Sequence, residues 1–319
     1  MVLIALLAAL VLALAATPVA MRVAARTGIV DRPGPLKMQQ TPVPYLGGIA
    51  VFVATAAVVA AVHPMLLVPL ALAATLGAVD DARGIPAVAR LLGEIGIGAA
   101  AAAVVPVRGT GAIGPIAVTI AVVVLVNAMN MLDGLDALAS GVALIAAAGF
   151  AAALRGDARA CALALTGALA GFLWFNRPPA RVYLGDSGSY LIGTALALLL
   201  AMSWSPHRLA ALGVAGATLI ALPVIEAGVT IVRRLRARHP LFTGDRGHVY
   251  DQLVDRGWSG PKASLTFSVF ELVLAAVAVA LSRADTAAAV VIAVGCVGAL
   301  LVVVVAAGFT RPEFRREVS

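Results

Sequence analysis

Five aspartates stand where long apolar runs of this 319-residue sequence end or begin. Asp80 and Asp81 follow the run "PLALAATLGAV", and Asp133 and Asp136 lie in "NAMNMLDGLD", which follows "PIAVTIAVVVLV". Asp186, in "YLGDSGS", precedes another apolar run and on its own could be a helix N-cap. Capping does not explain adjacent aspartates at a helix C-terminus, because negative charge there opposes the helix dipole. The group therefore indicates a site that binds a cation.

The residue types indicate which cation. Mg²⁺ binds a few carboxylates together with phosphate oxygens of a substrate, whereas Zn²⁺ prefers histidine and cysteine ligands. No His/Cys cluster accompanies the aspartates, and Cys161 and Cys296 lie in apolar runs as ordinary small core residues. We expect Mg²⁺, with Mn²⁺ as the alternative.

The elements that must position these residues are apolar helices. The sequence is 62% hydrophobic and 12% charged, with a mean hydropathy of +1.02, whereas soluble domains are about a quarter charged. We predict one all-α polytopic membrane domain over 1–319, with its first apolar run retained as a span. Eleven runs approach the length that crosses a bilayer, near 2–24, 46–62, 64–79, 90–106, 113–130, 137–154, 159–175, 187–203, 209–231, 263–281 and 286–308.

The basic residues predict the orientation. With the N-terminus outside and the C-terminus cytoplasmic, most of the 23 lysines and arginines fall on the cytoplasmic side, as the positive-inside rule requires. The net charge of +7 is then a topological signal and not a nucleic-acid-binding surface. The cytoplasmic loops lie near 25–45, 80–89, 127–136, 176–186 and 232–262. Because all the candidate acids fall there, we expect the chemistry to face the cytoplasm.

The last cytoplasmic loop adds candidate phosphate ligands. Arg246 and His248 lie in "GDRGH", a cluster that neither topology nor lipid attraction requires. The run from Arg233 to Arg238 is interpreted instead as a solvated juxtamembrane charge run. Glu94 and Glu271 fall inside predicted spans and are assigned no role.

Five motifs in order resemble one known family. They are "KMQQTPVPYLGGIA", "DDARGIPAVARLL", "NAMNMLDGLDALASG", "GFLWFNRPPARVYLGDSGS" and "GDRGHVYDQLVDRGWS". Together they are similar to the polyprenyl-phosphate N-acetylhexosamine-1-phosphate transferases, the bacterial glycosyltransferase family 4. The resemblance covers nearly the whole chain. It is carried by the order of the motifs on the predicted side, since each motif alone is weak.

The resemblance implies an activity. A UDP-sugar would donate its sugar-1-phosphate to a polyprenyl phosphate, giving polyprenyl-diphospho-sugar and UMP and starting a cell-envelope polysaccharide. The site would face the cytoplasm in a bacterial cytoplasmic membrane, and relatives suggest a homodimer. The single late-loop histidine favours UDP-GlcNAc as the donor, with UDP-MurNAc-pentapeptide as the alternative.

The resemblance also implies roles for individual residues. The metal ligands would be Asn130 and Asp186. The catalytic residues would be Asp80, Asp81, Asp133, Asp136 and His248. The substrate would be bound by Lys37, Arg90, Asn127, Tyr183 and Arg246, with Tyr183 stacked on uracil. Asp80 and Asp81 would position the lipid phosphate or assist its attack, and Gly134 would let the chain turn without a Cβ.

Three departures from the family pattern leave alternatives open. Gln39 replaces a first-loop histidine, Tyr250 and Asp251 replace two late-loop histidines, and Glu226 replaces an aspartate. An inactive scaffold paralogue therefore remains an alternative. So does a secondary transporter with the aspartates relaying ions, although transporters often show internal repeats and midplane charges. This sequence shows no repeat, and the five aspartates lie at helix ends on one side.

Overall fold

The computed structural model describes residues 2–32, 41–107, 109–204, 209–240 and 245–311. In these residues the chain is almost entirely helical. The helices are α1 (Val2–Thr27), α2 (Gly47–Val62), α3 (Leu67–Arg83), α4 (Ala87–Val104), α5 (Ile113–Leu132), α6 (Leu138–Ala153), α7 (Gly156–Asn176), α8 (Gly185–Ser203), α9 (Leu209–Leu219), α10 (Ala221–Arg236), α11 (Val249–Asp255), α12 (Gly260–Leu281) and α13 (Thr286–Ala306). A 3₁₀ turn at Pro64–Leu66 separates α2 from α3. Two short strands, β1 (Val30–Asp31) and β2 (Val43–Pro44), pair antiparallel.

The prediction of an all-α polytopic membrane protein is confirmed. Among the described residues, eight helices are long and apolar enough to cross a membrane, and α9 with α10 would make a ninth. The remaining two predicted spans are the shorter apolar helices α2 and α6, of 16 residues each. The eleven predicted runs therefore all correspond to helical segments, and large exposed apolar side chains such as Val88 and Val291 cover their outer surface.

The run at 209–231 is not the continuous helix that its hydropathy predicts. It divides into α9 and α10, whose axes differ by 57°. Pro223 lies in the first turn of α10, where its missing N–H and its ring prevent the hydrogen bond that would continue α9. The bend directs the C-terminal half of this segment towards α5.

Helix α8 lies at the centre of the bundle. In the most apolar 18-residue stretch of α8, 83% of the residues are buried inside the protein. The corresponding share for α13 is 17%, so α13 is a peripheral helix. Helix α8 packs mainly against α3 and α5. Helices in lipid associate partly through van der Waals packing, which small residues improve by letting the backbones approach closely. At Gly193 a Cβ would lie 2.6 Å from the carbonyl oxygen of Leu125, so only glycine permits this contact.

One end of the bundle collects the polar helix termini. The C-terminal ends of α3, α5, α7 and α10 meet the N-terminal ends of α4, α8 and α12 there, because short connections join antiparallel neighbours. The strands lie at the same end, where Tyr183 N–H donates to the Pro44 carbonyl at 2.8 Å. In return, Gly48 N–H donates to the Leu184 carbonyl at 2.8 Å. All the candidate acids are at this end.

Candidate active site

A cavity of about 1350 Å³ opens among these helix ends. Eight of the predicted site residues line it, namely Arg90, Asn127, Asn130, Asp133, Asp136, Tyr183, Arg246 and His248. Asp80, Asp81 and Asp186 lie in the wall behind it and bond to residues of the lining or to each other. Lys37 lies outside the described residues.

Asp81 holds the N-terminus of α8 from a different helix. Its two carboxylate oxygens accept the N–H groups of Asp186 at 2.8 Å and Ser187 at 3.0 Å. The first N–H groups of a helix have no partner within it, so Asp81 caps α8 across more than 100 residues of sequence. Gly185, with φ +71°, brings the chain close enough, since a Cβ there would lie 2.8 Å from Asp81 Oδ2. Asp81 thereby positions Asp186.

Asn130 joins α5 to the same helix. Its Nδ2 donates to Asp186 Oδ1 at 2.5 Å and lies 3.3 Å from Ser189 Oγ. The two residues that the family resemblance implies as metal ligands are therefore in direct contact. Both carry oxygen atoms of the kind that Mg²⁺ prefers.

Asp80 points into a different set of contacts from its neighbour. Its Oδ1 accepts the Ile85 N–H at 2.7 Å, and its Oδ2 accepts the Tyr190 hydroxyl at 2.6 Å. Arg90 Nη1 lies 3.9 Å from Oδ2. The adjacent aspartates thus have separate roles, since Asp81 caps a helix and Asp80 lies beside Arg90, which lines the cavity.

Glu94 lines the cavity next to Arg90, although no role was expected for it from the sequence. It is 1% exposed, accepts a 2.6 Å hydrogen bond from Asn127 Nδ2 and lies 3.8 Å from Arg90 Nε. It stands four residues after Arg90 on α4, the spacing that places two side chains on one helix face. That spacing could have predicted the contact with Arg90 from the sequence. The two contacts together indicate that Glu94 orients both Arg90 and Asn127.

Asp133 and Asp136 form an acidic lip where α5 ends. Burial raises the pKa of Asp133 to about 8, and the negative charges of Asp186 and Asp81 add to the rise. Burial also raises the pKa of Asp136, whose Oδ2 accepts the Ala180 N–H at 2.9 Å. Within the described parts of the chain no lysine or arginine forms a salt bridge with either carboxylate.

Asn130, Asp186 and the neighbouring acidic lip together fit a divalent cation that also binds a substrate. No three acidic, histidine or cysteine side chains in the described ranges converge to chelate an ion by themselves. Asp186 and Asn130 would supply two ligands, and substrate phosphate oxygens the remainder, which suits Mg²⁺. A bound cation would also relieve the mutual repulsion that raises the Asp133 pKa.

An aromatic wall faces the acidic lip. Tyr183 and Tyr45 both line the cavity with their rings in edge-to-face contact, 6.2 Å between centroids. Burial raises the pKa of Tyr183 to about 12, so its ring is neutral at physiological pH. Asn176, whose amide bonds Ser140 and the Val182 carbonyl, holds the loop that carries Tyr183.

His248 is held by α10. Its Nδ1 lies 3.1 Å from Thr230 Oγ1 and 3.3 Å from Glu226 Oε1, and Glu226 also accepts the Val249 N–H at 2.9 Å. The imidazole stacks on Tyr250 with parallel rings 5.2 Å apart. Glu226, which stands where the family has an aspartate, thus gives the histidine a carboxylate partner.

Tyr250 connects this histidine to the acidic lip. Its hydroxyl donates to the Met131 carbonyl at 3.1 Å. A Cβ at Gly134 would lie 2.0 Å from the Tyr250 oxygen, so glycine is needed for space. Gly134 lies in the turn after α5, as expected, and needs to lack a Cβ there because of Tyr250. The left-handed residue of this segment is Ala137, with φ +62°.

Arg233 and Arg234 are not part of a solvated charge run, and that interpretation is wrong for them. Each is 5% exposed, and they bond Asp245 at 2.5 and 3.0 Å. Burial opposes ionisation of Asp245, but the two arginines outweigh it and hold its pKa below the usual value. Arg246 lies 3.5 Å from Asp251, which stands where the family has a histidine.

Known proteins share this sequence pattern. Residues 63–204 match the profile described as Glycosyl transferase family 4. The decaprenyl-phosphate N-acetylglucosaminephosphotransferase of Mycobacterium tuberculosis is 30% identical over 309 residues, covering 81% of this chain and 76% of that protein. The probable undecaprenyl-phosphate N-acetylglucosaminyl 1-phosphate transferase of Bacillus subtilis is 24% identical, covering 89% and 86%. The phospho-N-acetylmuramoyl-pentapeptide-transferase of Leptospira biflexa is 35% identical over 188 residues, covering 51% and 48%.

The match to the Mycobacterium tuberculosis protein is decisive because it covers 81% of the chain at 30% identity, and the profile match over 63–204 includes all five aspartates. The relatives' names all describe phosphotransferases, which agrees with a cavity that combines acidic and cationic walls. The chain therefore belongs to the polyprenyl-phosphate N-acetylhexosamine-1-phosphate transferases, the membrane phosphotransferases of glycosyl transferase family 4.

Proposed function

We propose that this enzyme transfers GlcNAc-1-phosphate from UDP-GlcNAc to a polyprenyl phosphate, with Mg²⁺ bound by Asn130 and Asp186 beside the acidic lip. The reaction would take place at the cytoplasmic face of a bacterial cytoplasmic membrane and start a cell-envelope polysaccharide. The observation that carries the proposal is one cavity lined by Asn130, whose amide contacts Asp186 behind the wall, and also by Arg90, Arg246 and His248. Membership of a transferase family argues against the transporter alternative.

The cavity size supports two substrates. Its volume of about 1350 Å³ exceeds the roughly 300–1,000 Å³ of pockets that hold one small molecule. The lining joins apolar residues of α4, α5 and α10, such as Leu91, Val124 and Ile231, to the polar lip. A nucleotide sugar at the polar end and a prenyl chain along the apolar side would use both kinds of surface.

The attacking lipid phosphate does not need a strong base in the protein to deprotonate it. A phosphate monoester has its second pKa near about 6 and is already largely ionised at neutral pH. Its oxygen would form a bond to the β-phosphorus as the bond from that phosphorus to the bridging oxygen breaks, and UMP would leave. Mg²⁺, when bound, supplies positive charge that neutralises the diphosphate. We favour this direct attack over a covalent aspartyl-phosphate.

The protein side chains would then position the two substrates and neutralise the negative charge of their phosphates. Arg90, oriented by Glu94, and Arg246, paired with Asp251, would contact phosphate oxygens as charge develops on the transferring group. His248, engaged through Nδ1 by Thr230 and Glu226, would meet the substrate through Nε2. Tyr183 would stack on the uracil.

Two observations support GlcNAc as the donor sugar. The match to the N-acetylglucosamine transferase of Mycobacterium tuberculosis covers 81% of the chain, and the match to the muramoyl-pentapeptide transferase covers 51%. In the late loop, Tyr250 and Asp251 replace histidines. The Tyr250 hydroxyl donates to the Met131 carbonyl, and Asp251 pairs with Arg246. UDP-MurNAc-pentapeptide remains the alternative donor.

Purified protein in detergent tests the proposal. With Mg²⁺, a short polyprenyl phosphate and UDP-GlcNAc, we expect UMP release that depends on the lipid. Asp186→Asn should lower the rate and raise the Mg²⁺ concentration needed, and Asp80→Asn should lower the rate without changing that requirement. Release only with UDP-MurNAc-pentapeptide would overturn the donor assignment. No release with any UDP-sugar from folded protein would indicate an inactive paralogue.

A further inference from the structure

Tyr190 lies one helical turn after Asp186 on α8, and the family motif does not assign it a role. Its side chain is 1% exposed, and its hydroxyl donates to Asp80 Oδ2 at 2.6 Å. It is not among the residues that line the cavity, so its contact with Asp80 comes from the buried side of the wall.

The phenol completes the restraint of the Asp80 carboxylate. Oδ1 is held at 2.7 Å by the Ile85 N–H, which belongs to the α3–α4 connection, and Oδ2 is held by α8 through Tyr190. Arg90, at 3.9 Å, is too far for a hydrogen bond to Oδ2. With both oxygens engaged from opposite elements, the carboxylate plane cannot rotate without breaking a bond.

We infer that Tyr190 is a positioning residue that aims Asp80 at the lipid phosphate. This inference rests on the proposed function, in which Asp80 positions the acceptor or assists its attack. Displacements of about 1 Å at a reacting group cost roughly 100-fold in rate, so a rigid support for Asp80 matters to turnover. Because α8 carries both Asp186 and Tyr190, one helix sets the separation between the donor side of the site and Asp80.

The test is Tyr190→Phe in the detergent assay with UDP-GlcNAc and polyprenyl phosphate. The free energy of a hydrogen bond to a charged group, if lost from the transition state, corresponds to a rate decrease of about 10- to 100-fold. We expect a kcat decrease of about that size, with the KM for UDP-GlcNAc changed by less than about twofold. The matched control is Thr194→Val, one turn further along α8. It removes a buried hydroxyl that has no hydrogen-bond partner in the described structure.

A second background separates positioning from general damage to α8. Asp80→Glu keeps the charge but moves the carboxylate by one methylene, away from the geometry that Tyr190 supports. We expect Tyr190→Phe to change kcat by less than about twofold in that background. A merely structural tyrosine would produce the same fractional loss in both backgrounds.

The outcomes are distinct. A kcat loss with Tyr190→Phe that is absent from Thr194→Val and largely absent in Asp80→Glu supports the inference. Wild-type turnover by Tyr190→Phe, or losses that multiply with Asp80→Glu, overturns it and leaves the proposed function intact. Failure of the wild-type protein to release UMP overturns both.

Discussion

At the residue scale, the two carboxylates of the acidic lip differ in their partners. Asp136 accepts a backbone N–H from Ala180. Burial raises the pKa of Asp133 to about 8, and the negative charges of neighbouring carboxylates add to the rise. In the absence of a cation, Asp133 is therefore protonated at neutral pH. A divalent ion would displace that proton, so metal binding and pH are linked at this residue.

The stability of the metal-free protein should depend on this proton. Between the ordinary pKa of 3.8 and about 8, the folded protein keeps a proton on Asp133 that the unfolded chain has released. The folded state then binds more protons, so its stability should fall as pH rises through this window. Thermal unfolding in detergent with EDTA from pH 5 to 8.5 measures the fall. Asp133→Asn should flatten the pH dependence, and Mg²⁺ should restore more stability at pH 8 than at pH 6. Equal slopes for variant and wild type would contradict this account.

At the element scale, the site depends on how closely α3 approaches α8. Gly77 faces the first turn of α8, where a Cβ would lie 2.3 Å from the carbonyl oxygen of Asp186. Asp81, one turn further along α3, caps the same turn. Contact between the two helices therefore places Asp186 and Asp80 together.

Gly77→Ala should separate these helices. We expect a loss of about 1–3 kcal/mol in stability from overpacking, together with lower turnover. Gly96→Ala on α4 is the control, because a Cβ there meets nothing within 4 Å and alanine favours a helix over glycine by about 1 kcal/mol. It should be neutral or stabilising. Matching melting temperatures for the two variants would show that the α3–α8 contact does not constrain the site.

The helices and their acidic ends could be predicted from the sequence, because both depend on local residue patterns. The apolar run before Asp133 predicts where α5 ends, and the structure places that end at Leu132. Burial of Arg233 and Arg234 was not predictable from periodicity, since it depends on their hydrogen bonds to Asp245, which lies beyond the end of α10. The contact between Tyr190 and Asp80 joins residues 110 apart, and no local signal reports it.

At the scale of the whole molecule, the cavity opens at a single end of the helical bundle. The positive-inside prediction assigns that end to the cytoplasm, because the basic loops share it. Met65, between α2 and α3, belongs to the opposite end and is 60% exposed. Arg83, at the C-terminus of α3, is exposed at the same end of the bundle as the cavity.

Cysteine labelling in intact cells tests this orientation. In a background with Cys161→Ala and Cys296→Ala, a membrane-impermeant maleimide should label Met65→Cys from outside. Arg83→Cys should react only after the membrane is permeabilised. The reverse pattern would place the cavity on the outer face and exclude a cytoplasmic nucleotide sugar as its substrate.

The central claim is that the β-phosphate of a UDP-sugar passes with its sugar to a lipid phosphate in this cavity. UDP-GlcNAc labelled with ³²P at the β-phosphate, incubated with the protein, Mg²⁺ and polyprenyl phosphate, follows that phosphorus directly. We predict that the label enters the organic-soluble polyprenyl-diphospho-GlcNAc, that UMP is unlabelled, and that protein incubated without lipid retains none. Label that stays in the aqueous nucleotide fraction would contradict the transfer itself, and label trapped on the protein without lipid would contradict direct attack.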